Sequence, residues 1–125
     1  MATIGYILLG SDPDDNYLQA CDIGKADQCF LEGASCKPIR TIERPKFLEA
    51  LSKLREGDTF VISTLSVLSN SPKGMLEALK MLRKKGASVV FVQEGFTLSS
   101  RLGRAYLATL RSLAQLEDTA RRIRL

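Results

Sequence analysis

Four short apolar runs, each followed by turn-forming residues and then by a stretch of helical period, constrain this chain more than any other feature. Thr3 to Leu9 is nearly all apolar, as in a strand buried on both faces of a parallel sheet. Gly10-Ser11-Asp12-Pro13 breaks it. Either Asp12 or Ser11 can cap a helix with Pro13 in its first turn. That helix is expected to reach about Ala26, with Tyr17, Leu18, Cys21 and Ile23 as inner residues. Gln28 to Leu31 reads as a second strand, and Gly33 to Pro45 as a long loop. Lys46 to Glu56 is amphipathic, with Phe47, Leu48, Leu51 and Leu54 on one side and Gly57 as its C-cap. Asp58 to Ser63 is a third strand and Thr64 to Ser71 a loop. Pro72 opens a helix with Met75, Leu76, Leu79 and Leu82 inward, closed by Lys84, Lys85 and Gly86. Ala87 to Gln93 is a fourth strand. Strand and helix alternate throughout, which predicts an α/β fold around a mainly parallel sheet of four to five strands flanked by helices.

The last stretch, Ser99 to Leu125, has no proline and is rich in helix formers. If helical throughout it is about 40 Å long, against about 28 Å for a compact domain of this size. Its far end is therefore expected to project and to need a surface to lie against. Leu102, Tyr106, Leu110 and Leu113 recur at three- and four-residue steps and are the candidate oligomerisation residues. The division expected is residues 1–98 as an α/β domain and 99–125 as an oligomerisation helix.

Charge is distributed unevenly. The chain carries a net charge of +4, and all of it belongs to the last 27 residues, where six arginines face two acids. The first 35 residues hold six acids and one lysine. Arg121, Arg122 and Arg124 cluster at the end and are the candidate contacts to nucleic-acid phosphate. Histidine is absent, and Cys21, Cys29 and Cys36 show no C-x-x-C spacing, so no metal and no cofactor is expected. Three scattered cysteines without a basic-flanked leader suit a reducing cytoplasm. No run is long and apolar enough to span a bilayer, so no membrane partner is expected. There are no internal repeats.

In an open parallel sheet, sites lie beyond the carboxyl ends of the strands. These are Leu9 to Asp14, Glu32 to Arg44, Thr64 to Ser71 and Glu94 to Ser100. The residues there carry a resemblance. Gly5-Tyr6, Leu18-Gln19, and Phe30 with Glu32 and Ser35 resemble the start of a serine recombinase catalytic domain of the resolvase/invertase group. Arg44-Pro45, Ala50-Leu51, Leu54 and Gly57 to Val61 continue it. Thr64 to Ser71 keeps the spacing of that family's second signature. Ser99 to Arg104 and Ala114-Gln115-Leu116-Glu117 resemble the start and middle of its long dimer helix. The resemblance covers nearly the whole chain in order. It implies a resolvase-like fold, a dimerisation helix, and DNA cleavage through a phosphoseryl link. It also implies a helix-turn-helix domain further on, and this chain ends at Leu125.

The departures fall on the chemistry. After Gly-Tyr the family pattern has any residue, an arginine, a small apolar residue and the nucleophilic serine; here stand Ile7, Leu8, Leu9 and Gly10. The second signature, Lys-Leu-Asp-Arg-Leu-Gly-Arg-Ser, retains only Leu65, Leu68 and Ser71. Thr64, Ser66, Val67, Ser69 and Asn70 replace the lysine, aspartate, first arginine, glycine and second arginine. Gln19 and Arg44 match family active-site positions. Glu117 matches too, while Asp118 stands where an arginine is usual.

Displacement at a phosphodiester needs a nucleophile in line and cations on the phosphate. The degenerate positions Leu8, Gly10, Ser66, Val67 and Asn70 supply neither. The expectation is a catalytically inactive serine-recombinase-like protein. It would associate with a second copy or with an active serine recombinase, and bind DNA weakly and non-specifically. Two alternatives stay open: an active recombinase with Ser11 as a shifted nucleophile, and a regulator that binds an unrelated partner through the emptied cleft. Ser11 also reads as a helix cap, Arg44 as a solvated loop residue, Gln19 as a bond to a neighbouring loop, and Cys36 as a plain loop thiol.

Overall fold

The computed structural model describes residues 1–33 and 39–123. Ser35, Cys36 and Arg124 lie outside the described residues. Thr3–Leu9 (β1) leads through α1 (Pro13–Ile23) to β2 (Gln28–Gly33) and then α2 (Pro45–Lys53). Next come β3 (Thr59–Ile62), α3 (Pro72–Lys84), β4 (Ser88–Phe91), β5 (Phe96–Thr97) and α4 (Arg101–Ile123). Single 3₁₀ turns occupy Thr41–Glu43 and Leu65–Val67.

The sheet has the order β2-β1-β3-β4-β5. Its first four strands are parallel and β5 returns antiparallel to β4. The expected α/β architecture is therefore present. The small β5 was not visible as a strand of its own; two residues are too few to show a period.

The sheet separates two cores. One face carries Ile4, Tyr6, Phe60, Ile62, Val89 and Phe91, packed under α2, α3 and the first half of α4. Tyr6, Phe47 and Phe60 meet edge-to-face or stacked, with centroids 5.6–6.1 Å apart. The other face carries Ile7 and Val61 against Ile23 of α1. Gly5 makes that packing possible, because a β-carbon there would come within 2.6 Å of the Ile23 side chain.

Several expectations are corrected. α1 stops at Ile23, where Gly24 turns the chain at φ +63°. Of its four expected inner residues only Ile23 is buried; Tyr17, Leu18 and Cys21 face solvent. Gln19 takes the inward position instead. α2 ends at Lys53, and Gly57 serves the following turn at φ +88° rather than as a C-cap. Leu48 is exposed, while Phe47, Leu51 and Leu54 are buried as expected.

The main correction concerns α4. Its residues fall into two apolar faces rather than one stripe. Gly103, Leu107 and Leu110 are buried against the domain, so Leu110 belongs to the protomer's own core and not to an outer seam. Leu102, Tyr106, Leu113 and Leu116 lie on the outward side, exposed by 67%, 38%, 46% and 67%. Gly103 lets the helix rest directly on the backbone of Thr97 and Leu98. The far end does not stand clear of the domain: Asp118 pairs with Lys73 at the start of α3 at 3.7 Å, so α4 runs back along α3.

Candidate functional site

Two cavities open at the carboxyl edge of the sheet. The smaller, about 400 Å³, lies between the ends of β1 and β3 and is lined by Leu8, Gly10, Gln19, Ser63, Ser66 and Val67 among others. The larger, about 700 Å³, lies beyond β2 and the start of α3. Leu8, Arg40, Arg44, Asn70, Lys73 and Arg121 are among its walls.

β1 extends past its pairing with β3, which ends at Gly5 and Val61. The backbone of Leu8 then needs partners, and Gln19 supplies both. The Leu8 N–H donates to Gln19 Oε1 at 3.1 Å, and Gln19 Nε2 donates to the Leu8 carbonyl at 2.8 Å. Gln19 Nε2 also reaches Asp15 at 3.0 Å. Two residues on, Asn16 treats Gly10 the same way: the Gly10 N–H donates to Asn16 Oδ1 at 2.9 Å and Asn16 Nδ2 donates to the Gly10 carbonyl at 3.0 Å. Asp12, not Ser11, caps α1, accepting from the Asp14 N–H at 3.0 Å. Ser11 is exposed and lines neither cavity.

Arg44 is held by the fold as well. Its Nη1 donates to the Val67 carbonyl at 2.9 Å and to the Tyr6 hydroxyl at 3.3 Å. Tyr6 in turn donates to Glu32 Oε1 at 3.2 Å. Burial pushes the Tyr6 phenol up to about 12; Arg44 opposes that shift and Glu32 adds to it. The same Glu32 oxygen accepts the backbone N–H groups of Lys46 and Phe47, both at 3.1 Å. It therefore caps α2, whose own N-cap position, Arg44, offers no side-chain acceptor.

The second signature splits by depth. Leu65, Val67 and Leu68 are buried, with one edge of Val67 on the smaller cavity. Ser66 and Asn70 are exposed on the rims of the smaller and larger cavity respectively. Ser71 caps α3 through the Gly74 N–H at 3.0 Å. Thr64 Oγ1 and the Leu65 N–H both donate to Glu94 Oε1, at 2.7 and 3.0 Å, which ties this segment to the β4–β5 turn. Thr41 Oγ1 anchors the other side by donating to the Leu68 carbonyl.

The structure thus brings Leu8, Gly10, Gln19, Ser66 and Val67 to one cavity and Arg44, Asn70 and Arg121 to the next. Arg122, a turn end further on, is exposed. The roles of Asn16, Glu32 and Glu94 were missed by sequence reasoning. Glu32 had a signal: Pro45 starts a helix with no Ser, Thr, Asp or Asn before it, so the cap has to come from elsewhere. Among the described residues, no cluster of His, Cys, Asp or Glu could hold a metal ion. No helix there is long and apolar enough to cross a membrane.

This five-stranded sheet with its long carboxyl-terminal helix is the fold of serine recombinase catalytic domains. The chain superposes on the N-terminal catalytic domain of TP901-1 integrase with a TM-score of 0.71, at 18% identity and 98% coverage of both chains. A resolvase family site-specific recombinase from Streptococcus pneumoniae gives 0.72 at 14% identity, over 97% of this chain and 90% of that one. The sequence settles the family. Residues 20–125 match the resolvase N-terminal domain model, and the chain belongs to that family. It is 30% identical to the DNA-invertase hin of Salmonella typhimurium over 119 residues, 94% of this chain and 61% of that protein. It is 29% identical to the serine recombinase gin of Escherichia phage Mu, over 91% and 58%. The transposon Tn917 resolvase of Enterococcus faecalis is 32% identical over 60% and 41%. The chain spans between two-fifths and three-fifths of the length of these relatives. The family match begins at residue 20, so Leu8, Gly10, Ser11 and Gln19 all precede it.

Proposed function

We propose that this domain is a catalytically silent serine recombinase relative that acts by assembly, with a second copy or with an active recombinase on DNA. The observation that carries the reading is the end of β1. Gly10 stands where the resemblance places the nucleophile; it has no side chain, and Asn16 holds both its backbone groups. The neighbouring Leu8 offers no cation, and Arg44, the one arginine retained there, is bonded to Tyr6 and Val67. Loss of one preorganised donor at a phosphoryl centre costs about 10²-fold in rate or more. Loss of several together with the nucleophile leaves no route to strand cleavage. Ser11 is exposed and is not among the lining residues of either cavity, which favours the silent reading over a shifted nucleophile.

Assembly runs through the outward side of α4, with Leu102, Tyr106 and Leu113 as its apolar contacts and Leu116 extending them. DNA contact is weak, non-specific and carried by the carboxyl-terminal arginines, Arg121, Arg122 and Arg124. The chemical half of this reading is tested by incubating the protein with supercoiled DNA and denaturing it. No protein–DNA adduct is expected. A serine-linked adduct that disappears in Ser11→Ala would overturn it.

A further inference from the structure

The larger cavity is explained neither by assembly nor by the lost chemistry. It measures about 700 Å³, within the range of about 300–1,000 Å³ usual for small-molecule sites. Its walls come from separate parts of the chain: the ends of β1 and β2, the segment ahead of α2, the start of α3 and the end of α4.

Four cations, Arg40, Arg44, Lys73 and Arg121, line it against two acids, Glu32 and Glu77. Both acids are spent within the protein. Glu32 accepts from Tyr6 and from the start of α2, and Glu77 pairs with Arg40. Arg44 uses Nη1 on Tyr6 and Val67. Lys73 meets Asp118 at 3.7 Å, with both side chains about half exposed; such a pair is weak and exchanges readily. Arg121 has no ion-pair partner among the described residues. Lys73 and Arg121 thus bring positive charge to the cavity. Neither belongs to the two stretches in which arginines are replaced, so this charge is not a remnant of a cleavage site. The same cavity has apolar lining from Leu8 and Ile42.

We propose that this cavity binds a small organic phosphate, with Arg121 and Lys73 on the phosphate and Leu8 and Ile42 against the organic part. A guanidinium fork matches phosphate oxygens, and an ammonium adds a compact charge beside it. The apolar lining favours a free monoester over a DNA duplex, because backbone contacts to DNA are carried by cations and polar groups. The proposal depends neither on self-association nor on the absence of cleavage.

The test titrates the whole chain with phenyl phosphate, inorganic phosphate and a short random duplex, read by calorimetry and by amide shifts in isotope-labelled protein. Phenyl phosphate is expected to bind about tenfold or more tighter than inorganic phosphate, since only it can also bury a ring. It is expected to shift the amides of Leu8, Thr41 and Lys73. Arg121→Ala and Lys73→Ala, both at exposed positions and checked for native circular dichroism, are each expected to weaken it by about fivefold or more. Arg104→Ala, at an exposed arginine near the start of α4, is expected to leave it unchanged. Equal affinity for the two phosphates would show that the apolar lining is unused, and the proposal fails. Phenyl phosphate binding that survives loss of both Arg121 and Lys73, or that falls equally in Arg104→Ala, places the phosphate elsewhere and overturns it. If the duplex alone shifts these amides and neither phosphate does, the cations serve DNA and the proposal fails. No binding of phenyl phosphate at millimolar concentration overturns it as well.

Discussion

The carboxamide of Gln19 makes both hydrogen bonds that the backbone of Leu8 can offer, at 3.1 and 2.8 Å. It acts there as a one-residue extension of the sheet, completing a strand whose neighbour has ended. The position that the resemblance marks as catalytic is thus a structural strut in this chain.

Replacing Gln19 by leucine keeps the volume and removes both partners. Two part-buried backbone groups then lose their partner, at up to about 1–3 kcal/mol each. Gln19→Leu is expected to lower stability by about 2 kcal/mol or more, read from the urea midpoint, with Gln19→Glu nearly as costly because the donor to the Leu8 carbonyl is lost. Wild-type stability in both would show that the strut is dispensable.

Tyr6 links stability to alkaline pH. Its phenol titrates at 10.0 unperturbed and about 12 when folded. The neutral form is the one the fold favours, so this contribution is complete below pH 10 and fades as pH rises from 10 through 12. Wild type is expected to lose up to about 2 kcal/mol across that window relative to Tyr6→Phe, which has no phenol to ionise. Parallel curves for the two proteins would remove Tyr6 as the cause.

Leu110 and Leu113 sit one turn apart on α4 and are expected to behave oppositely. Leu110 is 4% exposed and belongs to the core, so Leu110→Ala should cost about 2–5 kcal/mol. Leu113 is outward, and Leu113→Ala should change stability by less than about 1 kcal/mol while weakening self-association. Thermal unfolding and light scattering across a dilution series separate the two effects; equal stability losses would place both residues inside.

Gly103→Ala reverses a common rule. Alanine in a helix is usually favoured over glycine by about 1 kcal/mol. At Gly103 the added carbon would lie within 2.7 Å of the Leu98 carbonyl carbon, and backbone cannot move aside cheaply. The variant is expected to unfold at lower temperature than wild type. A higher midpoint would mean that α4 rides further from β5.

The carboxyl-terminal arginines set the DNA prediction. Three phosphate contacts per chain give a log–log salt slope of about −3, similar on random and candidate-site duplexes. Changing Arg121, Arg122 and Arg124 to alanine together is expected to abolish binding in an electrophoretic shift assay. Tight, salt-resistant binding that survives the change would place the DNA surface elsewhere.

Much of this molecule is set by local pattern. The order of the first four strands and of the helices, most of the inward rows of α2 and α3, and the residues at the strand ends follow from period, turn chemistry and spacing alone; β5 and the outward turn of Leu48 do not. So does the absence of a hydroxyl at Gly10 and of a cation at Leu8, because residue identity needs no fold. The tertiary structure decided which of two available faces each helix buries. α1 and α4 both carry apolar residues around more than one side, and helical period reads Leu110 and Leu113, or Ile23 and Leu18, as equals. Only the sheet's layout distinguishes them, since the face beneath α4 presents Phe60 and Phe91 and the face beneath α1 presents Ile7 and Val61. It also decided that Gln19, Glu32 and Arg44 are spent on backbone and phenol groups. Those partners lie 11 to 38 residues away in sequence, and hydrogen bonds across such distances depend on packing that no local pattern records.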